Sequence, residues 1–172
     1  MRRSTLLALL VCSTAVAAAP AGATHTTAAC KGPALTGRFA AVPGSAGAGN
    51  IVYALVLKNR STSTCAVTGL PQLTLLGKRG KTLPTHVRAD QPNQLTAVLV
   101  RLAPGHSARA TARFSPDVPG PGEPVRAKSC ELPAYRAAVH APGGGRVIVP
   151  VAPPTPVCEH GQLLFRAYRL VR

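Results

Sequence analysis

The chain has 172 residues, with 20 Lys and Arg against five Asp and Glu, a formal net charge of +15. Such a balance suits polyanions (phosphate-rich wall polymers, anionic lipid headgroups, acidic polysaccharide, nucleic acid) and equally suits a merely solubilising surface. With no Trp, three Phe and three Tyr, the chain is poorly supplied for stacking on bases or sugars, and five carboxylates offer little for paired-acid catalysis.

The first predicted element is a targeting segment. Arg2 and Arg3 precede an apolar run from Leu6 to Ala19, and Ala21-Gly22-Ala23 has the small-x-small form of a cleavage site. The run is too short and too rich in Ala to span a bilayer well. We expect a Sec-type signal peptide over 1–23, a short leader over 24–29 and a single domain over 30–172. Cleavage leaves 149 residues (172 less 23), enough for one real core, and a net charge of +13 once Arg2 and Arg3 are gone. Cys12 lies inside the apolar run, and no apolar run abuts Cys30, so neither fits a lipidation site.

Removing Cys12 leaves Cys30, Cys65, Cys130 and Cys158, an even number in an exported chain, which reads as two disulfides. Of the three connectivities, Cys30–Cys65 and Cys130–Cys158 is the expected one, because each pair then staples consecutive segments. In the chain-entropy model each closed loop is worth about 3.5–4 kcal/mol.

Leu35 to Val42 is the first predicted strand. Ile51 to Lys58 is the second, apolar on both faces, and is expected at the centre of a sheet with both sides buried. Asn59 to Thr64 is a polar turn, Asn59 reading as a strand-ending residue although Asn59-Arg60-Ser61 fits a glycosylation sequon. Cys65 opens a return strand that stops at Gly69-Leu70-Pro71. Leu73 and Leu75 mark a further strand, and the turn Gly77-Lys78-Arg79-Gly80 predicts Leu83–Val87 as its partner. Leu95 to Leu102 is an apolar run. In Ser107–Phe114, Ala108, Ala110, Ala112 and Phe114 alternate with Ser107, Arg109, Thr111 and Arg113, a half-buried antiparallel strand with a basic outer face.

Ser115 to Lys128, with four prolines, is a long loop. Tyr135–His140 and Arg146–Val151 are strands around Gly143-Gly144-Gly145. Ala152–Pro156 is a proline-rich spacer, and the last strand carries Leu163, Phe165 and Ala167 on one face. No helical periodicity survives outside the targeting segment, so the fold class is an all-β sandwich.

Cys30, Gly49-Asn50, Leu57-Lys58-Asn59, Cys65 to Gly69, Pro71, Leu102-Ala103-Pro104-Gly105, Ser107-Ala108, Cys130, Pro142-Gly143, Cys158 and Gly161 stand in an order that resembles the actinobacterial domain of unknown function 4232. The resemblance spans nearly all of the mature chain. It implies an exported or lipid-anchored, immunoglobulin-like antiparallel β-sandwich with paired cysteines, and no established catalytic residues. The chain departs from the family in lacking a lipidation motif and a Ser/Thr/Pro-rich linker.

Several residue sets bear on chemistry. Cys158 and His160 with His140 upstream suggest a metal, but the axial Met of a blue-copper site is missing and disulfide pairing removes the thiolate, so no metal and no cofactor is expected. No Gly-x-Ser-x-Gly elbow is present, and no nucleophile–base pair can be named, so an enzyme is not expected. Gly143 to Gly145 before Arg146 reads as a turn rather than an anion nest. Arg101, Arg109 and Arg113 fall on segments expected to be adjacent and form a candidate anion-binding stripe. The expected function is that of a secreted, non-catalytic binding or structural module at the cell envelope. Its partner would be an anionic cell-wall polymer or the membrane surface, with no specific nucleic acid and no small-molecule substrate. The alternative is a secreted inhibitor of an extracellular hydrolase, presenting Ser115–Lys128 or Glu131-Leu132-Pro133.

Overall fold

The structure, a computed structural model, describes residues 26–94, 98–124 and 130–171. The expected signal peptide with Cys12, the first residues of the Leu95–Leu102 run and the end of the Ser115–Lys128 loop lie outside the described residues. Eleven strands follow in order: β1 (Leu35–Ala41), β2 (Ile51–Asn59), β3 (Cys65–Thr68), β4 (Gln72–Leu76), β5 (His86–Ala89), β6 (Leu99–Leu102), β7 (Ser107–Phe114), β8 (Ala134–His140), β9 (Arg146–Thr155), β10 (Gln162–Phe165) and β11 (Arg169–Leu170). Helix among the described residues is limited to short 3-10 turns and one helical turn, Cys158–Gly161. The all-β expectation holds.

The strands run β4-β8-β9-β1-β2-β7-β10-β5 in one sheet, with β11 also on β7, and β3-β6 form a second, two-stranded sheet. The ten-residue β9 lies between β8 and β1: it pairs with β8 at Arg146–Pro150 and, past an irregularity in register, again at Thr155, and with β1 at Val151–Ala152. This long strand thereby joins the β4-β8-β9 side to β1 and β2. One hydrophobic core results, in which Leu75, Val139 and Val149 from the β4-β8-β9 side meet Tyr53, Leu55 and Leu57 from β2. Phe39, Tyr53, Phe114 and Phe165 are buried at its centre with ring centroids 5.2–6.0 Å apart. These rings are therefore committed to packing.

Both disulfides have the expected connectivity, Cys30–Cys65 and Cys130–Cys158. The first ties the start of the domain to β3. The leader is less loose than expected at its end, because the Ala66 N–H donates to the Ala28 carbonyl (2.9 Å) and the Cys30 N–H to the Ala66 carbonyl (2.8 Å). Asn59 is more than a turn residue. It is fully buried, and its amide donates to the Ser63 and Leu102 carbonyls while its Oδ1 accepts from Ser61 N–H and Oγ. One side chain thus ties the β2–β3 turn to β6.

Four expectations need correction. All named pairings are antiparallel except β1–β9 and β10–β5, which are parallel. The partner of β4 is β8, while His86–Ala89 pairs with β10. The turn at Gly77–Gly80 closes only a single bridge, Leu76 to Thr82, before Pro84 diverts the chain. The proline-rich spacer is largely strand, because the solvent edge beyond Ala152 needs no ladder N–H from Pro153 or Pro154. Finally, β2 buries one face only. Tyr53, Leu55 and Leu57 are buried, but Val52, Ala54 and Val56 are half-exposed.

Candidate anion-binding face

The half-exposed face of β2 is where the charge collects. Residues directly opposite in adjacent strands point to the same side of a sheet. Arg38 of β1 stands opposite Val56 of β2, Val56 opposite Arg109 of β7, and Arg109 opposite Arg169 of β11. These four positions form one row of three exposed arginines about a small apolar residue, spanning about 14 Å at ordinary strand spacing. Beside it, exposed Lys58 stands between Thr36 and Ser107. On the other side, past Thr111 and Ala54, runs a second row: Val52, Arg113, Leu164 and Arg88. The apolar middle matters, because small side chains leave the guanidinium groups free to converge on a ligand lying along the sheet.

The two rows differ in how their charge is balanced. Asp90 lies 3.0 Å from Arg113 and 3.1 Å from Arg166. Partial burial pushes the Asp90 carboxyl up, but the hydrogen bonds and charges of the two arginines together outweigh it and hold the carboxyl below its ordinary value. Among the described residues, no carboxylate pairs with Arg38, Arg109 or Arg169.

Of the arginines read from the sequence, Arg109 and Arg113 share the outer face of β7 as the alternation predicts. Arg101 is not beside them. It lies on β6 in the second sheet and lines a separate cleft, with Arg166 and Arg169 on the other wall. Sequence reasoning missed Arg38 and Arg169, which complete the row through Arg109. The only signal for them was alternation within two short strands, and their alignment depends on register.

The histidines that could join Cys158 at a metal are dispersed. His140 is exposed on β8 between Gln72 and Arg146, whereas His160 follows Cys158 in the helical turn. A tight donor group, Glu123 with Cys130 and Cys158, does exist, but both sulfurs are joined in the disulfide. Glu123 serves the backbone instead. Its buried carboxylate accepts N–H bonds from Gly120 (2.7 Å), Glu159 (2.9 Å) and His160. Burial pushes this carboxyl up, and the three N–H donors with the neighbouring His160 charge outweigh that and hold it below its ordinary value. Glu159 and His160 are left-handed at φ 55° and 58°. Gly161 continues the turn at φ +79°, where an added Cβ would lie 1.9 Å from the Pro84 carbonyl oxygen. Two successive non-glycine residues in this region are costly, and the buried carboxylate is what holds them.

These features define a disulfide-stapled β-sandwich with a basic outer face. A family model described as a domain of unknown function (DUF4232) matches residues 30–167, and the chain belongs to that family. Comparison with curated proteins and with solved structures finds no match.

Proposed function

We propose that the protein is exported and acts as a non-catalytic module that binds an anionic polymer of the cell envelope along the outer face of β1, β2, β7 and β11. The observation that carries this reading is the cross-strand row Arg38–Arg109–Arg169, whose charges pair with no carboxylate among the described residues. Two disulfides fit an oxidising compartment. Among the described residues, no helix is long and apolar enough to cross a membrane. A linear polymer bearing regular phosphates matches a row of guanidinium groups on a rigid sheet, because bidentate donors prefer phosphate oxygens and bound counterions are released.

The test is retention on poly(glycerol phosphate) or isolated wall material at rising salt. Arg38→Ser with Arg109→Ser and Arg169→Ser should weaken retention about tenfold or more and flatten its salt dependence, since each lost cation removes roughly one released counterion. All three side chains are exposed, so melting temperature should hold. Retention equal to the parent's would reduce the face to a solvated surface.

One observation favours a second reading, inhibition of an extracellular hydrolase. Leu132 is 61% exposed in a short segment between Cys130 and Pro133, a protruding apolar side chain held by a disulfide. Assay against a panel of proteases decides it, and Leu132→Ala should abolish any inhibition found.

A further inference from the structure

We propose that the cleft between β6 and the C-terminal segment binds an extended acidic peptide of another protein, which adds as a strand to the open edge of β6. This goes beyond the polymer reading, because it concerns the adjoining cleft, which has Arg169 in common with the arginine row, and a partner recognised through its backbone.

The argument starts from backbone alternation. Residue pairs in an antiparallel ladder alternate between those that exchange hydrogen bonds and those whose N–H and C=O turn outward. Ala66 of β3 uses both its groups on the far side, toward Ala28 and Cys30. Its partner on β6 is Arg101. The N–H and C=O of Arg101 therefore point away from β3, and two residues on, those of Leu99 do the same. Among the described residues, no strand lies on that side of β6. On the opposite wall, the Val171 N–H donates to the Ser107 carbonyl (2.9 Å), which makes that pair a bonded one. Leu170, one residue back, consequently turns its own N–H and C=O away from β7.

Between these edges lies a cleft of about 800 Å³. Val98, Leu99 and Leu170 line it and are three of the seven exposed large apolar side chains among the described residues. Arg101, Arg166 and Arg169 line it too, and among the described residues a carboxylate holds Arg166 alone of the three. Exposed apolar surface, unpaired backbone donors and acceptors, and free positive charge thus coincide. A strand laid on β6 would set an acidic residue opposite Arg101 and an apolar one opposite Leu99, with the residue between them facing inward like buried Val100. An acyl chain with an anionic head would satisfy the arginines and the apolar wall but leave the Leu99 and Arg101 backbone unpaired. A second copy of this chain would bring Arg101 and a strong net positive charge against its own kind.

The test uses a labelled, capped peptide Glu-Val-Val-Thr-Glu-Thr and two copies of it, each N-methylated at alternate residues in one of the two phases. Fluorescence anisotropy should show binding by the parent peptide, a loss of about tenfold in one methylated phase and little change in the other. Amide exchange at Leu99 and Arg101 should slow on binding. Equal affinity for all three peptides, or no binding by any, overturns strand addition. Displacement of the peptide by phosphatidylglycerol vesicles that protect the same two amides overturns it in favour of a lipid, and a dimer joined through β6 in sedimentation overturns it in favour of self-pairing. Leu99→Pro removes the outward donor without touching the β3 ladder and should abolish binding. Arg38→Ser with Arg109→Ser should leave peptide affinity unchanged, so failure here and failure of the polymer reading are separable.

Discussion

Two of the five carboxylates do opposite work. Glu123 is buried beneath three backbone N–H groups and builds a turn, whereas Asp90 sits near the surface between two arginines and sets how much positive charge the sheet face leaves free. Both carboxyls are held below their ordinary values, yet for different reasons: fixed dipoles in one case, mobile cations in the other. In a chain with 20 basic residues, the place of each acid therefore decides more than the place of any single arginine. A buried acid that anchors backbone has no solvated substitute. An exposed acid between flexible guanidinium groups is screened and easily replaced.

The largest effect should come from Glu123→Gln. The amide keeps the shape but cannot accept from all three N–H groups, and its own NH2 faces donors. Loss of a charge-assisted bond and a stranded buried donor cost about 2–3 kcal/mol. For a domain of this size that is a fall of roughly 5–10 °C in melting temperature. The pH dependence sharpens the comparison. A carboxyl with a lowered folded-state value contributes stability that is present above its unfolded value and is lost as pH falls through the folded one. The gap between parent and Glu123→Gln should thus be widest near neutrality and shrink below about pH 4. A gap independent of pH would trace the loss to packing rather than to the carboxylate charge.

None of this turn was legible beforehand. Glu123 stands in a proline-rich stretch where a solvated acid is the ordinary expectation, and left-handed Glu159 and His160 are not residues that announce such a conformation. By contrast, β7 was readable to the residue. Alternation from Ser107 to Phe114 reports a strand with one wet face directly, and the burial pattern repeats it. The disulfide pairing followed from chain economy. The central strand was placed correctly but its outer face was misread. Val52, Ala54 and Val56 are apolar enough to look buried, and what stands beside them is decided by register with β1 and β7. Arg38 and Arg109 are brought into one row only through Val56. Pattern within a segment survives in sequence, while pairing between distant segments does not.

A smaller effect is expected from Asp90→Asn. It releases Arg113 and Arg166 from their shared partner without removing a cation. Retention on poly(glycerol phosphate) should rise a few-fold and its salt dependence steepen by roughly one counterion. Stability should change by less than about 1 kcal/mol, because both arginines are half-exposed. Unchanged retention with an unchanged salt slope would mean that Asp90 withholds no charge from the face.

The smallest effect is the most discriminating. Arg109→Ser and Arg113→Ser each remove one positive charge from the same face of the same strand, with Thr111 between them. If the protein is drawn to polyanions by net charge alone, the two variants should be retained equally. If the rows matter, they should differ. Arg109 stands between Arg38 and Arg169 through direct cross-strand neighbours, so its loss breaks a continuous row of unpaired cations. Arg113 already shares Asp90 with Arg166, so its loss leaves that carboxylate paired and withdraws little free charge. Arg109→Ser should therefore weaken retention about threefold, and Arg113→Ser by less than about twofold. Both are exposed and outside the core, so both should melt with the parent. Equal weakening would make the face a diffuse positive field, and the register that aligns Arg38, Arg109 and Arg169 would then be a property of the fold without a role in binding.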